Sequence, residues 1–110
     1  MRRGEVWTAA GGPGYAGEPQ PVVIVQDDRF DATDSVTICG FTTDPTEAPF
    51  IRLCIEPDDR NGLRELSSVM VDKITTVQRT KLGDHIGRLS EEDLVRLGRA
   101  IIVSVRLAGA

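Results

Sequence analysis

Histidine occurs once in the chain, as His85, and cysteine twice, as Cys39 and Cys54. With no second histidine and no C-x-x-C pair, a transition-metal site built by the protein is not expected. Both cysteines stand in apolar runs, "VTICGF" and "IRLCIE", so two buried, reduced thiols are expected in place of a disulfide. Aromatic residues are sparse: Trp7, Tyr15, Phe30, Phe41 and Phe50. No apolar run is long enough to span a bilayer, and the charged start "MRRGEVW" does not suit a signal peptide. These features point to a soluble cytoplasmic protein with no membrane partner and no cofactor. An excess of positive charge is missing as well. The formal net charge is −4, which gives no overall attraction to nucleic acid or to anionic membranes. Any anion site must therefore be a local basic cluster.

What is present suits one domain over residues 1–110. A chain of this size buries roughly two-thirds of its unfolded surface, enough for one core. "EVWTAA" (5–10) reads as a strand. Residues 11–20 hold four glycines and two prolines and read as a loop. "PVVIVQ" (21–26) is a continuous apolar run of strand length, covered on both faces, and its leading proline suits a strand start. "DDRFDATDS" (27–35) is a turn with room for one helical turn. "VTICGFTT" (36–43), "FIRLCIE" (50–56) and "SSVMVDKITTVQ" (67–78) read as three more strands, the last bent near Asp72. In 50–56, Phe50, Arg52, Cys54 and Glu56 alternate against Ile51, Leu53 and Ile55, a half-buried antiparallel pattern. A short strand closes 79–89. Ser90 followed by Glu91, Glu92 and Asp93 then forms a capping box whose acidic first turn suits the positive end of a helix. Leu94, Leu97, Ile101 and Val105 recur at helical spacing, which predicts one helix over 91–107. The expected fold is mainly β or α+β: a small β-barrel covered by a C-terminal helix.

The order of these segments is specific. "RRGEVW", a glycine-rich loop, "PVVIVQDD", a strand ending in "FTT", "GLRELSSVMVDKITTV" and "KLGDHIGRLSEEDLVRL" together resemble the MazF/PemK (Kid-like) family of toxins from type II toxin–antitoxin systems. The resemblance runs almost end to end. It implies an SH3-like β-barrel with a C-terminal α-helix, assembled as a symmetric homodimer. It also implies a metal-independent endoribonuclease toxin that cuts single-stranded RNA at short sequences. A cognate, MazE-like antitoxin would lay a disordered tail over the groove and fold on binding.

Metal-free RNA cleavage of this kind starts with attack of the 2′-hydroxyl on the adjacent phosphate, giving a 2′,3′-cyclic phosphate and a 5′-hydroxyl. It needs an acceptor for the 2′-OH proton, a donor to the leaving oxygen and stabilisation of charge on phosphorus, often the largest contribution. The resemblance places an arginine just before the proline of the second strand for that last role. Gln20 stands there. An amide donates a hydrogen bond but brings no charge, and losing one such donor costs about 10²–10³ in rate. An inactivated variant, a naturally weakened member, or a second cation such as Arg29 or Lys73 would each account for it. Thr42 aligns with the family's catalytic threonine and Thr43 with the hydroxyl residue after it, although threonine is also simply common in strands.

Further RNA-binding candidates are Lys73, Arg29, Glu18 and Tyr15. Lys73 either contacts RNA or is a solvent-facing lysine. Arg29 either flanks the groove or is a surface charge. Glu18 lies in the loop that flanks the groove in the family. Tyr15 either stacks on a base or covers the barrel edge. Arg52 or Arg60 would add charge to a groove shared by two subunits. His85 is read as structural or exposed, and the arginines of the last helix as a solvated face. Two rival readings remain: a CcdB-like gyrase inhibitor built on the same barrel, and an RNA-binding module that does not cut.

Overall fold

The computed structural model describes residues 1–10, 18–44 and 52–105. Tyr15 and most of the expected first loop lie outside the described residues. So do residues 45–49, Phe50 and Ile51 of the expected fourth strand, and Arg106 and Leu107 at the expected helix end. The described elements are β1 (Glu5–Ala9), β2 (Gln20–Ile24), β3 (Ser35–Thr42), β4 (Arg52–Ile55), β5 (Ser67–Met70), β6 (Thr75–Gln78), β7 (Leu82–Arg88) and α1 (Glu91–Ser104). Short 3-10 turns occupy Asp28–Phe30, Val71–Lys73 and Arg79–Lys81. No helix among the described residues is long and apolar enough to cross a membrane.

Every strand pairing is antiparallel, in the order β4-β5-β3-β2-β1-β7, with β6 also on β3. Among the described residues the ladder does not close, since β4 and β7 end it without pairing with each other. The expected barrel is therefore an open, curled sheet with one helix against it. The strand expected over 67–78 is also two strands. Both lie along β3, but Phe41 faces Val69 while Ile38 faces Thr75, so three residues of β3 oppose six. The turn Val71–Lys73 takes up the surplus at the expected bend.

β2 is buried on both faces, as its unbroken apolar run requires. Val23 joins Val6, Cys39, Phe41, Ile55, Leu63, Val69, Val71, Leu89 and Leu97 in the core beneath α1. Val22 and Ile24 join Val36, Ile38 and Leu82 in a second cluster, against which Met1, Trp7, Ala9 and Val77 pack. α1 starts where the capping box predicts, with the Ser90 hydroxyl accepting from the Asp93 N–H at 3.1 Å. Leu97 is fully buried, while Leu94 and Ile101 are partly so. Val105, expected on the buried stripe, is exposed, because the helix ends at Ser104. Cys39 is buried, but Cys54 is exposed, contrary to the expectation of two buried thiols. It shares the outward face of β4 with Arg52, where the period-two alternation of a strand sends every second side chain.

Candidate functional site

The junction into β2 and the tip of β3 meet at one cleft. β1 holds β2 with Ala9 opposite Gln20, and β3 pairs with β2 through Val22–Gly40 and Val23–Cys39. Continuing that antiparallel register carries Gln20 opposite Thr42. Thr42 is held on its other side by Ser68 of β5. Gln20, Thr42 and Thr43 line a cleft of about 500 Å³ together with Thr8, Arg64 and Glu65. The Thr42 hydroxyl oxygen accepts from the Asp44 N–H at 3.1 Å, and among the described residues its O–H donates to no acceptor.

Arg64 and Glu65 escaped the sequence reading, because their loop is placed by distant anchors. Asn61 is fully buried. Its Oδ1 accepts from the Asp58 N–H at 3.2 Å and the Leu63 N–H at 3.0 Å, and its Nδ2 donates to the Glu56 carbonyl at 2.8 Å. The Arg88 N–H donates to the Arg60 carbonyl at 2.9 Å, fastening the loop to β7. Gly62 has φ +73°, and any Cβ there would stand 2.2 Å from the Ile86 carbonyl oxygen. Leu63 reaches the core, and the Ser67 hydroxyl donates to the Glu65 carbonyl at 2.9 Å. Arg64 thus projects from a backbone fixed on both sides. Its only sequence signal was the turn chemistry of "DDRNG" just before it.

The other candidates are distributed as follows. Lys73 is exposed in the Val71–Lys73 turn and lines a neighbouring, more apolar cleft of about 470 Å³ with Met70, Phe41 and Lys81. Gln20 borders both clefts, so Lys73 lies next to the site without lining its first cleft. Arg29 lies beyond the far end of β2, in the turn Asp28–Phe30, and lines neither cleft. Its guanidinium pairs with Asp27 at 3.0 Å, and the hydrogen bonds and charge of that pair hold Asp27 below and Arg29 above their ordinary pKa values. Glu18 is exposed and lines neither cleft. Arg52 is tied to Asp72 at 2.6 Å. His85 stacks on Trp7 with ring centroids 5.1 Å apart, in keeping with a structural role.

Chemically, the first cleft offers hydroxyl and amide donors, one guanidinium and one carboxylate. That set suits an oxyanion and a proton transfer beside it. Among the described residues no cluster of three or more His, Cys, Asp or Glu residues could hold a metal ion.

Comparison with known proteins places the chain among proteins of one family. A family model described as "PemK-like, MazF-like toxin of type II toxin-antitoxin system" matches residues 2–105. The chain is 53% identical over 109 residues to a "Probable endoribonuclease MazF" of Mycolicibacterium smegmatis, covering 99% of this chain and all of that one. Among solved structures it is similar to an "Endoribonuclease in complex with its cognate antitoxin from Mycobacterial species". There the TM-score is 0.80 at 25% identity, over 98% of this chain and 97% of the other. A MazE–MazF complex from Deinococcus radiodurans shares the fold at TM-score 0.77 and 14% identity, over 98% of both chains.

Proposed function

The chain belongs to the PemK-like, MazF-like toxins of type II toxin–antitoxin systems, and from that premise we propose that it is a metal-independent endoribonuclease. Its substrate is single-stranded RNA. As a single toxin domain it works as a homodimer in the cytoplasm, and a MazE-like antitoxin silences it by covering the groove. Support for antitoxin control comes from the similar proteins solved in antitoxin complexes.

The observation that carries the catalytic part is the meeting of Gln20, Thr42 and Thr43 in one cleft. In the proposed step the RNA 2′-oxygen attacks phosphorus and the bond from phosphorus to the 5′-oxygen breaks. The 2′-OH proton leaves to a base, and one proton goes to the departing 5′-oxygen. A 2′,3′-cyclic phosphate and a 5′-hydroxyl result, with no redox change. The Thr42 O–H and the Gln20 amide donate to the phosphate oxygens as charge builds there. Such donors act in the transition state because they are already aimed before the reaction begins.

The test is cleavage of a random-sequence RNA pool in EDTA by the protein and by its Gln20→Arg variant, with analysis of the ends. Cyclic-phosphate and 5′-hydroxyl ends from either protein are expected. Thr42→Ala is expected to lower the rate by about 10²-fold, the cost of one preorganised donor. No cutting by either protein would overturn the reading, and gyrase inhibition in the same preparation would transfer it to the CcdB-like alternative.

A further inference from the structure

We infer that Arg64 supplies the positive charge against the scissile phosphate, taking the electrostatic role that Gln20 cannot fill. The assignment rests on the endoribonuclease reading above. Phosphoryl cleavage through a five-coordinate phosphorus gathers negative charge on the non-bridging oxygens, and an uncharged cleft stabilises it poorly. Among the described residues Arg64 is the sole Lys or Arg lining the cleft that holds Gln20 and Thr42.

Of the other arginines, Arg3, Arg60, Arg88 and Arg99 also lack an ion pair among the described residues but do not line this cleft, and the remaining described ones are already engaged. Arg2, Arg29, Arg52 and Arg96 each pair with an aspartate at 2.6–3.3 Å. Arg79 is spent on the Thr33 carbonyl and the Met1 sulfur. Arg64 has no carboxylate within 4.0 Å among the described residues, although Glu65 follows it directly and lines the same cleft. A guanidinium left uncompensated at the mouth of a cleft keeps its charge for a ligand. Its planar fork matches two phosphate oxygens at once.

Position matters as much as charge. The loop is anchored immediately before Arg64 by buried Leu63 and immediately after it by the Glu65 carbonyl. The backbone therefore need not be ordered when RNA binds, and the side chain alone turns toward the phosphate. A surface arginine on a slack loop would lose much of its effect to that ordering cost. Arg64 also approaches from the β4–β5 side of the cleft, whereas Gln20 approaches from β2. A guanidinium at residue 20 would reach the same phosphate from the other wall.

That geometry sets the experiment. Single-turnover cleavage of a random-sequence RNA pool in EDTA is measured for wild type, Arg64→Ala, Arg64→Lys, Gln20→Arg and the double variant Gln20→Arg/Arg64→Ala, with the melting temperature of each. Wild type is expected to cleave. Arg64→Ala is expected to lose about 10²–10³-fold in rate with the melting temperature held, and Arg64→Lys to regain part of it. In the Gln20→Arg background the same truncation should cost at least tenfold less, because the second guanidinium covers the loss. A merely structural Arg64 would lose the same factor in both backgrounds, which overturns the assignment. Wild-type rates from Arg64→Ala overturn it too. An inactive wild type with an active Gln20→Arg variant removes Arg64 but leaves the endoribonuclease reading standing. Silence from both proteins removes the reading and the assignment together.

Discussion

Gly62→Ala probes how far the site depends on the loop that carries Arg64. Two costs add. The backbone at Gly62 lies at φ +73°, and a Cβ in the left-handed region costs about 1–2 kcal/mol. The new methyl would also stand 2.2 Å from the Ile86 carbonyl oxygen and 2.8 Å from its carbon. Restoring a 3.0 Å approach demands a displacement of about 0.8 Å. Neither side yields freely, because Asn61 is buried with both its amide oxygen and its amide nitrogen hydrogen-bonded, and Arg60 is fastened to Arg88. Forced shifts of packed groups cost about 1–3 kcal/mol more. At about 4–8 °C per kcal/mol for a domain near this size, the melting temperature should fall by at least about 8 °C. Below that temperature, where the variant is folded, Arg64 is carried off its wild-type position, and a misplacement near 1 Å costs about 10²-fold in rate. Melting followed by circular dichroism and RNA cleavage at a temperature where both proteins are folded read the two effects separately. Gly62→Asn divides the cost further, since asparagine accepts the left-handed region but keeps the clash. It should destabilise less than alanine, by about the 1–2 kcal/mol of the left-handed cost, and keep the cost of the clash. A Gly62→Ala protein that melts and cleaves like wild type would refute the close approach and the fixed loop together.

The two thiols should separate cleanly. Burial, with the Asp72 charge adding to it, pushes the Cys39 thiol up to about 12, so its reactive thiolate is scarce at neutral pH and only appears as pH rises toward that value. Cys54 is exposed. A thiol reagent at about pH 8 should therefore label one site per native chain and two after unfolding, and Cys54→Ser should abolish native labelling; rapid labelling of both would contradict the packing of Cys39. Gly98 lies inside α1, and a Cβ there would meet only the end of the Arg3 side chain, at 3.1 Å. Gly98→Ala should therefore stabilise the protein by about 1 kcal/mol, read as a higher melting temperature; a lower one would mean that Arg3 needs the notch.

The local features were legible from the chain itself. Ser90 with its acidic first turn, and Leu94, Leu97 and Ile101 at helical spacing, fix α1 without help from distant contacts. The unbroken run of β2 announced two covered faces, and Val23 on one side with Val22 and Ile24 on the other answer it. Cys54 was misjudged because its apolar neighbours outweighed the alternation that put it beside Arg52. The extent of the break at Asp72 was hidden because it depends on β3, whose pairing absorbs three surplus residues. Of the residues lining the cleft, Gln20, Thr42 and Thr43 were singled out through the resemblance, whereas Arg64 and Glu65 were not. Their place depends on Gly62 against Ile86 and Arg60 against Arg88, contacts that cross more than twenty positions of chain. Of the two readings of Arg29, the surface charge fits its place: it follows β2 closely in sequence but sits at the opposite end of that strand from Gln20, paired with Asp27.

The net charge of −4 and a polyanionic substrate are compatible once charge is counted by place. Among the described residues four of the chain's 13 basic side chains are paired internally, with Asp28, Asp27, Asp72 and Asp93. Those pairs are mostly exposed and stabilise the fold weakly, but they keep the outer surface unattractive to RNA at large. What remains uncompensated near Gln20 is Arg64 in one cleft and Lys73 with Lys81 in the next. Few phosphate contacts mean weak non-specific retention, because affinity for a bare backbone grows with the number of phosphates neutralised. Selection of a substrate then falls to unstacked bases and to the geometry of one phosphate. A net-negative chain with a few cations placed at its clefts is thus a charge distribution suited to a nuclease that must release most of the RNA it meets.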